Sequence, residues 1–282
     1  MKNILLPTDF SENSWNSIAY ALQLFDKEKC TFHLLNTYMP SIYHMDYMPS
    51  GAGYTGVADA LKESSTIGLE VFKSKILKDY VNERHTIETI SSLNMIISEI
   101  REVVIEKSID IIVMGTKGAS GIIETILGTN TMTVINDIKC PTIAVPESFK
   151  FSKLKKILFP TDFELFYQSE HLNLIIDLAE KHNSEIHLLH VLGKNTQELT
   201  ENQERNIMRL KSLLKDIKLI SHFENHKHIA NSIDDFLLKM RVDLLVMMNN
   251  KNSFFDNVFF KPIINKIGFH LKTPFLVLPS NK

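Results

Sequence analysis

Residues 109–136 read IDIIVMGTKGASGIIETILGTNTMTVIN, and the rest of the chain is best read outward from them. Ile111-Ile112-Val113-Met114 is a continuous apolar run, the pattern of a strand buried on both faces. Gly115 ends the run, Gly118 follows, and Gly128 stands directly before Thr129, Asn130 and Thr131. Met132, Val134, Ile135 and Ile138 then resume an apolar pattern, which predicts a helix starting near Thr129. A buried strand, a glycine-punctuated loop and a helix opening with hydroxyls suit a phosphate chain. Glycines let the backbone approach closely and adopt positive φ, so that successive N–H groups face an anion. The helix N-terminus adds unpaired N–H groups and the positive end of its dipole. The spacing G-x2-G-x9-G-[ST] is neither the dinucleotide fingerprint nor the Walker A loop. Glycines at intervals are also ordinary turn chemistry, so the flanking sequence has to decide.

The flanks contain a repeat. Lys2-Asn-Ile-Leu-Leu-Pro-Thr-Asp-Phe10 returns as Lys156-Ile-Leu-Phe-Pro-Thr-Asp-Phe163, with the tetrapeptide Pro-Thr-Asp-Phe identical. Cys30–Thr37 is echoed by Glu185–Val191, Asp110–Met114 by Asp243–Met247, and Pro141–Pro146 by Pro274–Pro279. Such pairs in register mark an internal duplication. Each half reads as strand and helix in alternation, ending on a fifth strand, which implies an open parallel sheet with helices on both faces. The polar stretch from Glu147 to Lys153 separates a domain over residues 1–147 from one over 153–282. The closing strands of the two halves, short and apolar, are expected to pair at a pseudo-twofold interface.

Within the first half, Ser11 can cap a helix running to Phe25, with Trp15, Ile18, Ala19 and Leu22 on one face and Trp15 in the core. Residues 38–60 break all periodicity, so a long loop is expected there, serving as a lid, a partner contact or a loosely packed segment. Helices are expected from about Ala58 to Val81 and from Asn94 to Lys107, with a strand near His85 to Ile90.

Composition excludes several classes. The chain has 282 residues, 44% hydrophobic and 23% charged, with a net charge of −2. That is enough apolar material for two cores. No block of like charge suggests a nucleic-acid-binding surface or a polybasic membrane anchor. No apolar run approaches the length of a spanning helix, and the opening MKNILLPTDF lacks the features of a signal peptide. Cys30 and Cys140 read as reduced structural thiols. A cytoplasmic location is the expectation.

The glycine pattern resembles the nucleotide-binding signature of the universal stress protein family, with Gly115, Gly118, Gly128 and Thr129 in its four defined positions. Pro7, Thr8 and Asp9 match that family's first-strand motif, and the closing strand Pro141-Thr-Ile-Ala-Val-Pro146 matches as well. The likeness covers nearly the whole chain, as two fused domains. It implies an α/β fold of two doubly wound open parallel-sheet domains, Rossmann-like, with strand order 3-2-1-4-5, in pseudo-twofold tandem. The implied ligand is ATP, ADP or AMP, with or without Mg²⁺, bound at the topological switch point. Asp9 would contact the adenine and ribose end, and main-chain groups of Thr37 the adenine edge. Met114 and Gly115 would lie under the ribose and α-phosphate. Gly118, Gly128, Thr129 and Asn130 would donate to the phosphates, with Thr131 a further hydroxyl and Lys117 either an assisting charge or a solvated loop lysine. The implied role is a stress-response sensor or regulatory module with an unidentified protein partner, as an intramolecular pseudo-dimer alone or in a homodimer. A weak ATPase or self-phosphorylating protein, and a ligand-free scaffold, are the alternatives.

The second half departs from this pattern. Met248, Lys251 and Lys261 stand where the first half has Gly115, Gly118 and Gly128, and Pro262 replaces Thr129. Side chains then occupy places where backbone had to approach phosphate, and Pro262 has no N–H to donate. Phe254, Phe255, Phe259 and Phe260 add bulk. Pro160-Thr161-Asp162-Phe163 is therefore read as a turn device, and one nucleotide per chain is expected. No catalytic set can be ordered from spacing. His222, His226 and His228 alternate along a strand but read as a solvated strand end rather than a metal site.

Overall fold

The computed structural model describes residues 1–39, 52–116, 128–192, 199–225, 229–249 and 272–279. By contacts they form two compact units, one from Met1 to Cys140 and the other from Pro141 onward.

The first unit runs β1 (Lys2–Pro7), α1 (Glu12–Leu24), β2 (Cys30–Thr37), α2 (Ala52–Asp79), β3 (His85–Ser92), α3 (Ile96–Glu106), β4 (Ile111–Gly115) and α4 (Thr129–Asp137). Its strands lie in the order β3-β2-β1-β4, and β1 is parallel to both β2 and β4. The apolar runs are buried as their composition requires: Ile4, Leu5, Leu6, Phe32, Leu34, Leu35, Ile111, Ile112 and Val113 have no solvent exposure. Each such side chain contributes about 1.5–3 kcal/mol on burial. On one face, α3 and α4 bring Ile100, Val103 and Val134 against Leu5, Leu35 and Ile112.

The second unit repeats the theme with β6 (Lys156–Pro160), α5 (Ser169–His182), β7 (Glu185–Leu192), α6 (Glu201–Leu213), β8 (Lys218–Asn225), α7 (Ile229–Met240), β9 (Leu244–Asn249) and β10 (Phe275–Pro279). β5 (Thr142–Val145) belongs by contact to this unit, although it follows the first half in sequence. It runs antiparallel to β10, pairing Ala144 with Phe275 and Thr142 with Val277, so the two closing strands do meet. Counted by halves, the order is β3-β2-β1-β4-β5 and β8-β7-β6-β9-β10, the expected 3-2-1-4-5 order twice.

Two expectations need correction. Helix α2 begins at Ala52 rather than near Ala58, so the unpatterned stretch ends earlier and Gly53 and Gly56 are helical. Residues 40–51, which include Tyr43, Met45, Tyr47 and Met48 of that stretch, lie outside the described residues. Trp15 is not core: it is half-buried, edge-on to Phe72 of α2 at 5.2 Å, with the Lys75 ammonium 3.7 Å above its ring. The buried face of α1 carries Asn13, Ser14, Asn16 and Ser17 beside Ile18, Ala21 and Leu22. Ala19 is half-buried. The reason is local: the first turns of α1 lie against the polar end of β1 and the end of β4, where small hydrogen-bonding side chains fit and an indole does not. The Ser11 cap is as expected, its hydroxyl accepting from Ser14 N at 3.2 Å.

Candidate functional site

The turn after β1 is built by its own side chains. Phe10 N donates to Thr8 Oγ1 at 3.1 Å, and Ser11 N and Oγ donate to Asp9 Oδ1 at 3.1 and 2.5 Å. The Ser14 hydroxyl donates to Ser11 O at 2.9 Å, which leaves Thr8 Oγ1 as the donor in its 2.9 Å bond to Ser14 Oγ. From β2, Asn36 Nδ2 donates to Thr8 O at 2.7 Å. The chain reverses at Phe10 with φ 62, a left-handed conformation uncommon outside glycine. These bonds fix the Asp9 carboxylate at the exposed carboxyl end of β1.

Beside it, β4 ends in Met114 and Gly115. A Cβ on Gly115 would lie 2.8 Å from the Asn13 carboxamide carbon, an overlap that forces one of them to move. Gly115 thus leaves room for the Asn13 side chain of α1 and does not rest on positive φ. Gly128, the N-cap of α4, also has an ordinary φ of −58, and its N–H is held by Thr116 O at 2.5 Å. The Thr131 hydroxyl donates to Gly115 O at 2.8 Å and ties α4 to the end of β4. Gly128 N–H and the Thr131 hydroxyl are therefore engaged within the protein. Among the described residues, the main-chain N–H groups of Thr129, Asn130 and Thr131 have no partner, as a helix N-terminus without a side-chain cap leaves them.

These parts surround one cavity of about 480 Å³, entirely within the first unit. Pro7, Thr8, Asp9, Thr37, Met114, Gly115, Gly128, Thr129, Asn130 and Thr131 all line it, so ten of the positions singled out by sequence come together. Lys117 and Gly118 lie outside the described residues. The structure adds Ser14, Asn36 and Ile96. Asn36 had a signal, a carboxamide in an apolar strand, and Ser14 a weaker one as a hydroxyl in the first helical turn. Ile96, at the start of α3, had none. The cavity lies at the carboxyl ends of β1 and β4, where the strand order reverses and open α/β sheets hold ligands. Asp9 is the one ionisable side chain among its described lining residues.

The profile of the universal stress protein family matches residues 1–146 and again 153–279. The chain belongs to the universal stress protein family. A universal stress protein of Methanocaldococcus jannaschii is 28% identical over 152 residues, 53% of this chain and 84% of its own length. The crystal structure of a universal stress protein from Archaeoglobus fulgidus matches 99% of this chain and 97% of its own, at 18% identity and a TM-score of 0.61. A protein of unknown function from Pseudomonas aeruginosa matches 99% and 93%, at 12% identity and a TM-score of 0.61. At these identities the two structures share the fold over both halves. Among the described residues no helix is long and apolar enough to cross a membrane, and no group of three or more His, Cys, Asp or Glu could hold a metal ion. His226 and His228 lie outside them, and His222 bonds to His187 at 2.9 Å.

Proposed function

We propose that the first half binds one adenine nucleotide, ATP or its di- or monophosphate, and that the chain works as a nucleotide-dependent stress-response module rather than by turnover. The observation that carries this is one cavity lined both by the Asp9 carboxylate and by an uncapped helix N-terminus. A carboxylate accepts hydrogen bonds from ribose hydroxyls or an exocyclic amine. Three N–H groups at a helix start, without a partner among the described residues, suit phosphate. The donor set therefore fits both ends of such a ligand, and the cavity is within the size range of small-molecule sites.

Calorimetric titration of the intact chain with ATP tests this, with saturation near one equivalent expected. No uptake of ATP, ADP or AMP at millimolar concentration overturns the proposal, and two equivalents overturn its assignment to the first half alone.

A further inference from the structure

Helix α2 contributes no described residue to the cavity, yet it holds the turn that carries Asp9. The ring of Phe10 lies against the helix at Gly68, so closely that a Cβ there would stand 2.6, 2.7 and 2.9 Å from three ring carbons. One turn on, Phe72 meets the same ring edge-on at 5.4 Å. Gly68 and Phe72 thus form a socket, and the residue seated in it has φ 62 and immediately follows Asp9. Glycine inside a helix is unfavourable relative to alanine. At Gly68 the reason is on view, because a Cβ there would press on the Phe10 ring and make it shift.

The other described glycine of α2 beyond its first turn, Gly56, has nothing within 4 Å of an added Cβ, so close packing is peculiar to Gly68. The second half keeps the turn without the socket. Phe163 has φ 59, but its ring stacks on His190 at 4.9 Å, and α6 holds its carbonyl through Asn206 Nδ2 at 2.7 Å.

We propose that the Phe10 ring, seated between Gly68 and Phe72, is the link through which α2 sets the position of Asp9, so that a ligand held by Asp9 in turn stabilises α2. Gly68 and Phe72 are positioning residues for the site, and coupling in one direction entails coupling in the other. The ligand half of this statement rests on the nucleotide reading of the cavity; the link itself does not.

The test compares hydrogen exchange at the Phe10 and Ser11 amides in the full-length wild type, Gly68→Ala and Gly56→Ala. Both substitutions make the same chemical change in the same helix. Gly68→Ala is expected to speed exchange at both amides about tenfold, whereas Gly56→Ala leaves them unchanged. Equal protection in all three proteins overturns the link. In the same proteins, Gly68→Ala is expected to weaken ATP binding about tenfold with the stoichiometry kept, and Gly56→Ala to leave it unaltered. Faster exchange at an unchanged affinity overturns the positioning role. A wild type that takes up no nucleotide instead removes the proposed function, and the exchange comparison still decides the link.

Discussion

The two halves share one turn and differ in what surrounds it. In each, the phenylalanine N–H of Pro-Thr-Asp-Phe donates to the threonine hydroxyl, at 3.1 Å for Phe10 and 3.0 Å for Phe163. In each, the aspartate accepts from the N–H two residues on, at 3.1 Å both times. Asn36 and His190 occupy the same register position and both bond to the threonine carbonyl, at 2.7 and 2.8 Å. The surroundings then diverge. Thr8 pairs with the small Ser14, whereas Thr161 pairs with Tyr167, a fully buried ring six residues later. Asn13, 5% exposed, packs on Gly115, while Phe166, the residue that follows its own turn at the same interval, is 57% exposed. Met248, buried, takes the Gly115 position. Gln203 Nε2 also closes on Asp162 O at 2.9 Å from α6. The shared words encode a backbone reversal, and the cavity of the first half goes with the small residues around it.

Moving one large residue from the second half into the first is expected to give the largest effect. Gly115→Met introduces a Cβ that overlaps Asn13 and a side chain at the cavity wall. Overpacking of this kind costs about 1–3 kcal/mol in stability, and nucleotide affinity is expected to fall by ~100-fold or more, equivalent to about 2.8 kcal/mol. Calorimetry on material shown by circular dichroism to be folded checks it. Should that variant not fold, Gly115→Ala serves with a smaller loss in the same direction. Wild-type affinity in a folded variant would mean that bulk at this position does not distinguish the halves.

The next effect is smaller and concerns charge. Asp9→Asn keeps an oxygen for the turn but removes the acceptor-only carboxylate. Losing a hydrogen bond to a charged group costs about 1.5–3 kcal/mol, so affinity should drop by roughly tenfold or more. Asp162→Asn should leave it unchanged, because Gln203 and the turn already surround that site. Equal losses from the two substitutions would show both halves binding ligand.

Much of this was legible in sequence, for reasons that also mark the limit. Buried parallel strands appear as unbroken apolar runs, and a repeated tetrapeptide survives because its hydrogen bonds are local. Strand order and the residues converging on the cavity followed from those two signals together with the family likeness. The length of α2 was not legible, since Gly53 and Gly56 carry the composition of a turn and yet are helical. Nor was the reason for Gly115, which depends on Asn13, a residue distant in sequence. Trp15 was misjudged because periodicity reports which residues share a face, not whether strand or solvent lies opposite it. Asn36 stood out only as a polar residue in an apolar strand, and its bond to the Thr8 carbonyl requires the β1–β2 register.

The smallest effect concerns acid rather than ligand and reaches each half through its own histidines. In the second half, His187 and His222 lie nearly parallel, with centroids 5.2 Å apart and an N···N distance of 2.9 Å, so the rings meet edge to edge. Glu185 Oε1, 3.1 Å from His187 Nε2, fixes that nitrogen as a donor. His187 Nδ1 then accepts from His222 Nε2–H. Burial pushes the His222 pKa below its ordinary 6.5, His187 adds to this, and Glu224 opposes it. The face of α7 turned to the rings presents Phe236, and Ser232 holds Glu224 at 2.8 Å. In the first half, burial likewise lowers His85, whose Nε2 bonds to Phe25 O at 3.0 Å, and His33. Because these folded-state values lie below the unfolded one, the unfolded chain binds more protons as acid is added. Their stabilising contribution is complete above pH 6.5 and is lost as pH falls below it, levelling off beneath the folded values. Glu185, held low first by Lys218 and then by His187, adds a second loss only below about pH 4.5. Urea midpoints should therefore be flat from neutrality to about pH 8 and decline from pH 6.5 downward. His222→Gln should lessen the decline through the second half and His85→Gln through the first. An acid limb unchanged by either substitution would place the loss on other groups.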